Sequence, residues 1–333
     1  MEIIKLEQRE NCNTRTLYEE VFQEDSKEFV DYYYTEKTKD NEIYVVREDH
    51  AVRAMLHLNP YTLLVNGEEK ETNYIVAVAT QEEYRRRGYM AELLKKALND
   101  MYQAGHTFTF LMPAAETIYL PHDFRTVYEQ ERKYYRQEAE LEEDIQISPA
   151  EFSDCEELAE WMQSYLEKNY QVFAKRDARY YERLIKEYAS DGGKLMLYRR
   201  DGDLTDCQIY VPEEEEQEKP KIMVRIIDVR RMVMAVKVKR LTGVCFHITD
   251  PIIKENNRCA VLFGTESSGI MYMDGKPESS EGTVTIAALT SFLFGAKTVE
   301  EVCEEEGVEM SDRMIYELNK IIPLSKIYLN EVV

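Results

Sequence analysis

The sequence is poor in the residues and segments that would place the protein in a membrane or in an oxidising compartment. Its 333 residues include one tryptophan, five histidines and six cysteines, and no two cysteines form a C-x-x-C pair. Cysteines spread this thinly are typical of buried thiols in a reducing compartment, and they fit neither a disulfide framework nor a zinc site. No apolar run reaches membrane-spanning length, and the first residues lack the apolar core of a signal peptide. We therefore expect a cytoplasmic protein with no metal and no membrane partner.

Basic residues are also scarce relative to acidic ones. The chain has 42 lysines and arginines against 64 aspartates and glutamates, which gives a formal charge of −22. Because this field repels a phosphate backbone, we expect no nucleic-acid partner. Cationic small molecules and basic peptides are compatible with the charge, although solubility alone also explains it. A hydrophobic content of 44% with 32% charged residues indicates a globular protein with a core.

Strand and helix patterns divide the chain into three parts, residues 1–140, 145–220 and 221–333. The first part is strand-rich before it changes to helix, and the later parts also mix both elements. This mixture predicts an α/β (α+β) fold, with a mixed sheet flanked by helices. Runs of β-branched and aromatic residues predict strands in the first part at 42–48, 51–58, 61–65 and 74–79, with a hairpin turn at Asn66-Gly67.

The most informative segment is a short apolar strand that leads through a basic loop into a helix. The strand ends with Val78-Ala79-Thr80, the loop contains Arg85-Arg86-Arg87-Gly88, and Tyr89-Met90 open the helix. Backbone N–H groups and the helix dipole favour an anion at a helix start, and Gly88 lets the backbone approach it closely. We therefore predict a pyrophosphate-binding turn; the alternative is a solvated basic turn before an ordinary amphipathic helix. Neither the P-loop pattern nor G-x-G-x-x-G occurs here.

These residues resemble the acetyl-CoA signature Q/R-x-x-G-x-G/A of the GCN5-related N-acetyltransferases (GNAT). Arg85 and Gly88 match the signature, whereas Met90 replaces its last small residue. Downstream, Tyr119 stands five residues before Phe124, where GNAT enzymes carry the tyrosine that protonates the departing CoA thiolate. The resemblance implies that residues 78–80 and 85–90 bind acetyl-CoA and that Tyr119 is the general acid. Asp123 departs from the glycine of many relatives.

The order of the three parts is similar to that of the Eis (enhanced intracellular survival) family of acetyltransferases. There, a GNAT domain precedes a degenerate GNAT-like middle region and a C-terminal sterol-carrier-like α/β domain. The resemblance implies that the α-carboxylate of the last residue, Val333, is the general base. From the residues alone, a plain docked terminal strand is the simpler interpretation of Val333. The resemblance also implies a homo-oligomer, since relatives form hexamers.

The expected activity is transfer of an acetyl group from acetyl-CoA to a primary amine on a cationic small-molecule or peptide acceptor. An aminoglycoside-like compound, a polyamine and a lysine side chain all fit that description. Phe22, Tyr32–Tyr34 and Glu24 lie in the helical region that borders the acceptor in such enzymes. One alternative is a non-catalytic protein that binds an apolar ligand in its sterol-carrier-like domain, and another is an oligomer-forming scaffold. The spacing of Arg85, Gly88 and Tyr119 favours the enzyme, because a binding protein needs no general acid.

Overall fold

The computed structural model describes residues 1–136, 144–212 and 219–332, so the predicted base Val333 lies outside the described residues. In the first part, helices alternate with strands of one sheet. Its elements are β1 (Glu2–Lys5), α1 (Arg15–Val21), α2 (Lys27–Thr35), β2 (Glu42–Glu48), β3 (Ala51–Val65), β4 (Glu68–Thr80), α3 (Tyr89–Ala104), β5 (Phe108–Leu111), α4 (Glu116–Tyr119) and β6 (Arg125–Glu129).

The middle and C-terminal parts supply the remaining elements. The middle part contains β7 (Ile145–Pro149), α5 (Cys155–Asn169), β8 (Val172–Ala174), α6 (Ala178–Ser190), β9 (Lys194–Arg200) and β10 (Asp203–Tyr210). The C-terminal part contains β11 (Lys221–Ile226), α7 (Val229–Met234), β12 (Lys237–Val238), β13 (Thr242–Thr249), β14 (Arg258–Thr265), β15 (Gly269–Asp274), β16 (Gly282–Thr285), α8 (Ile286–Leu293), α9 (Val299–Cys303), β17 (Glu309–Met310), α10 (Asp312–Leu318), β18 (Ile321–Ile322) and β19 (Ile327–Tyr328).

The first sheet has the strand order β1-β2-β3-β4-β5-β11-β6, and it recruits strands from all three parts of the chain. β8 pairs with the far end of β3, and β19 pairs with β8. The sequence places residues 221–226 at the start of the C-terminal part, whereas in the structure β11 lies between β5 and β6. Five of its six residues are buried, which suits an interior strand. The predicted mixed sheet with flanking helices is confirmed.

The β3–β4 hairpin forms at the predicted turn but is longer than expected. The two strands predicted at 51–58 and 61–65 join into one continuous strand, in which Pro60 sits opposite Asn73. Asn66 and Gly67 both adopt positive φ angles, 50° and 87°, as the tight turn of such a hairpin requires.

Three further sheets lie in the described part of the chain, and the smallest is the antiparallel pair β12-β18. The middle part folds as β10-β9-β7, and the C-terminal part as β15-β14-β13-β16-β17, in which β13 and β16 are parallel. All eight residues of α8 are buried, and they share one apolar cluster with strands of the first sheet and of the C-terminal sheet. The C-terminal part is thus packed directly onto the first sheet. Among the described residues, no helix combines the length and apolarity needed to cross a membrane.

Candidate active site

The central strands β4 and β5 run side by side for only two residue pairs and then separate. β5 ends there, while β4 continues for five more residues. Over residues 76–80, the edge of β4 that faces β5 therefore has no strand partner within the described part of the chain. Such an edge offers backbone N–H and C=O groups to an extended ligand that carries amides. The predicted contact residues Val78, Ala79 and Thr80 lie on this stretch. The two pairs that close the cleft are Tyr74–Phe110 and Ile75–Leu111.

A β-bulge interrupts β4 where this open edge begins. The register with β3 shifts by one residue between the pairs Met55–Ala79 and His57–Val76, and Ala77 has a positive φ of 49°. This backbone conformation is uncommon and costly for alanine, and bulges of this kind are frequent beside active sites. The bulge interrupts the β3–β4 ladder, and a backbone N–H released in this way can stabilise developing negative charge.

The turn before α3 has the backbone of an anion-binding site. Gly88 begins the helix in the left-handed conformation with φ of 81°, and no side chain caps the first N–H groups. Those groups keep their hydrogen-bonding capacity, and the helix dipole adds partial positive charge. A Cβ at Gly88 would meet no atom within 4 Å, so the backbone angle, rather than crowding, favours glycine. A diphosphate fits such a helix start.

The turn also carries three exposed arginines in different surroundings. Arg85 Nε donates to the carbonyl of Thr80 (3.2 Å), and Arg87 Nη2 donates to that of Glu83 (3.0 Å). Arg86 has a positive φ of 62° and makes no hydrogen bond or ion pair within the described residues. Two of the arginines therefore also stiffen the turn, and Arg86 presents its full charge to solvent.

Tyr119 packs at the point where β4 and β5 separate. Its ring belongs to the buried cluster that contains Ile75 and Leu111, and it meets Phe124 edge to face with ring centres 5.9 Å apart. The side chain is 7% exposed, and burial raises the pKa of its hydroxyl to about 12. The hydroxyl makes no hydrogen bond within the described residues, so its proton remains available to a ligand in the cleft.

Two cavities, of 670 and 560 Å³, open beside the cleft, in the size range of small-molecule sites. Met112 directly follows β5 and connects the larger cavity to the open edge of β4. Glu187 and Val332 contribute to the walls of both. The larger cavity is also lined by Glu24, Phe29, Arg132 and Asp191, and the smaller one by Asn59, Tyr61 and charged residues that follow α2 or belong to α6.

Acidic side chains outnumber basic ones around the larger cavity. Glu24, Glu187 and Asp191 face Arg132, the one basic residue among the described wall residues. Glu187 is buried and accepts hydrogen bonds from Lys37 Nζ (3.0 Å) and from Tyr32 Oη (2.9 Å). Burial raises the pKa of Glu187, and the Lys37 charge opposes that rise. The described wall of the larger cavity therefore carries more acidic than basic side chains.

The aromatic residues predicted near the acceptor belong mostly to the core. Tyr33 is fully buried and hydrogen-bonds through its hydroxyl to His57 Nδ1 (2.9 Å), while Tyr34 bonds to Thr14. Burial lowers the pKa of His57 to about 3, so its ring stays neutral. Phe29 lines the larger cavity but was not among the predicted site residues. The one signal for it in the sequence is its position on α2, four residues before the buried Tyr33.

The C-terminal segment, residues 327–332, is docked between the first sheet and the middle part. β19 pairs with β8, and Gln130 Nε2 donates to the carbonyls of Leu329 (2.9 Å) and Glu331 (3.0 Å). Lys37 Nζ donates to the carbonyl of Val332 (3.2 Å). The described end of the segment therefore lies in the walls of both cavities.

A buried ion pair anchors the same segment. The side chain of Glu331 is fully buried and accepts from Arg176 Nη2 (2.8 Å) and from Tyr180 Oη (2.6 Å). The Arg176 guanidinium lies over the rings of Tyr180 and Tyr328, about 5 Å from each ring centre. Sequence patterns do not reveal this pair, because its members are separated by 155 residues.

Most predicted site residues thus lie around one cleft, with residues 78–80 along the open edge, 85–90 at the turn and Tyr119 at the closed end. Within the described ranges, no three side chains of His, Cys, Asp or Glu converge as a metal site requires. Neither the bulge at Ala77 nor the buried Arg176–Glu331 pair could be predicted from the local sequence. Both depend on contacts between distant strands or segments.

Comparison with known proteins assigns the two ends of the chain. Residues 2–127 match the acetyltransferase (GNAT) domain family, and residues 229–330 match the sterol carrier protein domain family. A search of curated proteins found no match.

Solved structures share the whole fold at low sequence identity. A probable N-acyltransferase from Enterococcus faecalis V583 is 12% identical, with 98% of this chain and 99% of that chain covered and a TM-score of 0.76. A GCN5-related N-acetyltransferase from Anabaena variabilis is 13% identical, with 98% of each chain covered and a TM-score of 0.73. Eis1 from Mycobacterium abscessus is 12% identical, with 99% of each chain covered and a TM-score of 0.68.

Because residues 2–127 match the GNAT domain family, the protein belongs to the class of acetyltransferases. The chain carries an N-terminal GNAT acetyltransferase domain and a C-terminal sterol carrier protein domain. The predicted class of enzyme and the predicted likeness to the Eis arrangement are therefore confirmed.

Proposed function

We propose that the protein transfers the acetyl group of acetyl-CoA to a primary amine of a cationic acceptor. The observation that carries the proposal is a single cleft that joins an open β4 edge, an uncapped helix start and a buried tyrosine. A protein that only bound the coenzyme would need the first two features but not the third.

The coenzyme would lie along the separated strands. Backbone groups of residues 78–80 offer hydrogen bonds to the amides of the pantetheine arm, as a strand does to a peptide. The N–H groups at the start of α3, together with Arg85, Arg86 and Arg87, balance the charge of the diphosphate. Tyr89 anchors the helix start, because its hydroxyl donates to Glu48. Met90 is half-buried in the cluster beneath the helix, so it leaves the turn open despite its size.

The chemistry is a direct transfer between two bound reactants. The amine nitrogen attacks the thioester carbonyl carbon, the C–N bond forms, and the C–S bond breaks. A backbone N–H at the β4 bulge stabilises the negative charge that develops on the carbonyl oxygen. The Tyr119 hydroxyl gives its proton to the leaving sulfur, and the proton that the attacking nitrogen loses as the amide forms replaces it, so the hydroxyl is restored. Because burial raises the pKa of Tyr119 to about 12, its hydroxyl is protonated at neutral pH and can act as an acid.

The acceptor would enter through the larger cavity, whose acidic wall suits a protonated polyamine, an aminoglycoside-like compound or a lysine side chain. Its amine must lose a proton before it attacks. The α-carboxylate of Val333 remains our candidate for this base. The docked position of Val332, in the walls of both cavities, supports that assignment.

Several predictions complete the proposal. Cytoplasmic location, a homo-oligomer, and part boundaries at 1–140, 145–220 and 221–333 stay predictions, as does the degenerate GNAT-like character of the middle part. The alternative of an apolar-ligand protein gains less support, because α8 is buried on all sides in the C-terminal core. The burial of all eight α8 residues indicates close packing at this place rather than an open cavity.

A thiol-release assay tests the proposal. Each reaction contains the protein, acetyl-CoA and one candidate acceptor. The acceptors are a linear polyamine, an aminoglycoside and a lysine peptide, and the control compound is a neutral amino alcohol derivative whose amine is blocked. We expect CoA release with at least one free amine and none with the blocked compound. The acetylated product is identified by mass spectrometry. Binding of acetyl-CoA without release in any amine reaction would contradict the proposed transfer.

A further inference from the structure

A fully buried arginine joins the C-terminal domain to the loop that follows Tyr119. Arg225, the fifth residue of β11, has no exposed surface, and its Nη2 donates to Asp250 Oδ1 (2.7 Å), whose carboxylate is equally buried. Arg225 Nε donates to the backbone carbonyl of His122 (3.0 Å). The guanidinium therefore bridges two segments of different domains.

Asp250 is itself fixed by its own domain. Its Oδ1 also accepts from the backbone N–H groups of Ile252 and Ile253, each at 2.9 Å. Its Oδ2 accepts from Asn256 Nδ2 (2.9 Å), and Asn256 in turn donates to the carbonyl of Ile227 (2.8 Å). This network holds the carboxylate rigidly, so the position of Arg225 follows from the fold of the C-terminal domain.

On the other side, Arg225 touches the turn that ends the Tyr119 loop. Asp123 closes that turn with a positive φ of 65°, and its Oδ2 lies 3.6 Å from Arg225 Nη2 without a hydrogen bond. A non-glycine residue in this conformation is costly, and a buried carboxylate needs a compensating charge. Arg225 places positive charge beside Asp123, and its Nε hydrogen bond to the carbonyl of His122 holds the backbone of the same turn.

We propose that Arg225, held by Asp250, is a positioning residue that sets the place of the Tyr119 hydroxyl in the cleft. The proposal rests on the proposed role of Tyr119 as the acid. His122 lies three residues after Tyr119, and Phe124, which packs on the Tyr119 ring, follows Asp123 directly. Through these hydrogen bonds, Asp250 and Arg225 act on catalysis without contact to either substrate.

A double-mutant cycle tests this role. Arg225→Met leaves Asp123 and Asp250 without their partner, and we expect kcat to fall about 10- to 100-fold, because small displacements of a catalytic group are costly. The KM for acetyl-CoA should stay within about twofold, since the turn at residues 85–88 is untouched. Arg225→Lys, which keeps the charge, should recover part of the loss. In a Tyr119→Phe background, Arg225→Met should change kcat by less than about twofold.

A matched variant separates positioning from simple loss of stability. Lys320→Met breaks another largely buried ion pair, with Glu317 at 2.6 Å, on the far side of the C-terminal domain. It should lower the melting temperature but leave kcat at the temperature of the assay unchanged. If Arg225→Met does not fold, Asp250→Asn takes its place in the cycle, since it keeps the shape of the side chain.

The outcomes distinguish the two proposals. Equal losses from Arg225→Met in the native and Tyr119→Phe backgrounds would overturn the positioning role and leave the acid role intact. A full rate in Tyr119→Phe alone would overturn the acid role and, with it, the positioning role. A loss confined to the background that contains Tyr119 supports both.

Discussion

The proposed coenzyme side and the proposed acceptor side of the cleft are built in opposite ways. The coenzyme side comes from one continuous stretch, β4, the turn at residues 81–88 and α3, and its charges are exposed. The proposed acceptor side combines α2, α6 and the C-terminal segment, and four of its charged groups are buried in two pairs, Lys37–Glu187 and Arg176–Glu331. A local site can be read from neighbouring residues, whereas an assembled one exists only in the complete fold.

The comparison also concerns energy. Exposed charges at the turn are hydrated and individually weak, so each one adjusts affinity. Buried pairs are costly to break, because the remaining partner loses both water and its counter-charge. We therefore expect substitutions on the coenzyme side to change binding of acetyl-CoA, and substitutions on the acceptor side to change the stability and the position of the C-terminal segment.

The largest effect should follow from breaking the buried pair on the acceptor side. Arg176→Met leaves the Glu331 carboxylate buried without a cation, so the free energy of unfolding should fall by about 3–5 kcal/mol. Amine acetylation should fall with it, because residues 327–332 lose their anchor. Binding of acetyl-CoA, measured by calorimetry below the melting temperature, should be retained.

The matched control replaces both members of that pair. Arg176→Met with Glu331→Leu leaves no buried charge, so most of the stability should return while the acetylation rate stays low. Parallel loss of acetyl-CoA binding in Arg176→Met would show that the two sides are not independent.

The next largest effect concerns Tyr119, which lies where the two sides meet. Tyr119→Phe should lower kcat by about 10²- to 10⁴-fold, the typical contribution of a general acid, with little change in the KM for acetyl-CoA. Because burial raises the pKa of Tyr119 to about 12, the native enzyme should lose no activity from tyrosinate formation up to about pH 10. Rate measurements from pH 6 to 10 check this second part.

Phe124→Leu is a suitable control for this substitution. It removes the ring that packs against Tyr119 but keeps the hydroxyl, so its effect should be smaller. A Tyr119→Phe enzyme with an unchanged kcat would exclude the acid role.

The difference between the two sides also explains what the sequence could predict. The strand over 42–48, the turn at Asn66-Gly67 and the helix after Gly88 depend on local periodicity and turn chemistry, and all three were predicted at or near their true limits. The sequence did not predict that residues 221–226 belong to the first sheet, because an apolar run does not indicate which strands will lie beside it. The bulge at Ala77 was invisible for a related reason, since it is a property of the β3–β4 register.

A smaller effect is expected from substitution of Gly88 in the turn before α3, and Gly67 in the β3–β4 turn provides a matched control. Gly88 and Gly67 have φ angles of 81° and 87°, and a Cβ on either would meet no atom within 4 Å. Alanine at either position should therefore lower the free energy of unfolding by a similar amount, about 1–2 kcal/mol. Only Gly88→Ala should also weaken acetyl-CoA binding, because Gly88 precedes the free N–H groups at the start of α3, whereas Gly67 lies in a hairpin turn. Equal affinity in the two variants would place the diphosphate elsewhere.

The smallest effect should come from Arg86, and it tests the electrostatic half of the comparison. Arg86→Ala keeps a Cβ, so the positive φ costs the same in both proteins and only the charge changes. An exposed charge contributes about 0.2–1 kcal/mol, which corresponds to a rise of up to about fivefold in the dissociation constant of acetyl-CoA. Arg86→Lys should restore the native value. Because salt screens exposed charges, the difference between native protein and Arg86→Ala should shrink at about 0.5 M salt. If the difference in dissociation constant between native protein and Arg86→Ala persisted at high salt, Arg86 would bind the coenzyme through a desolvated hydrogen bond. The charge of Arg86 would then not be an exposed one, contrary to the contrast drawn between the two sides.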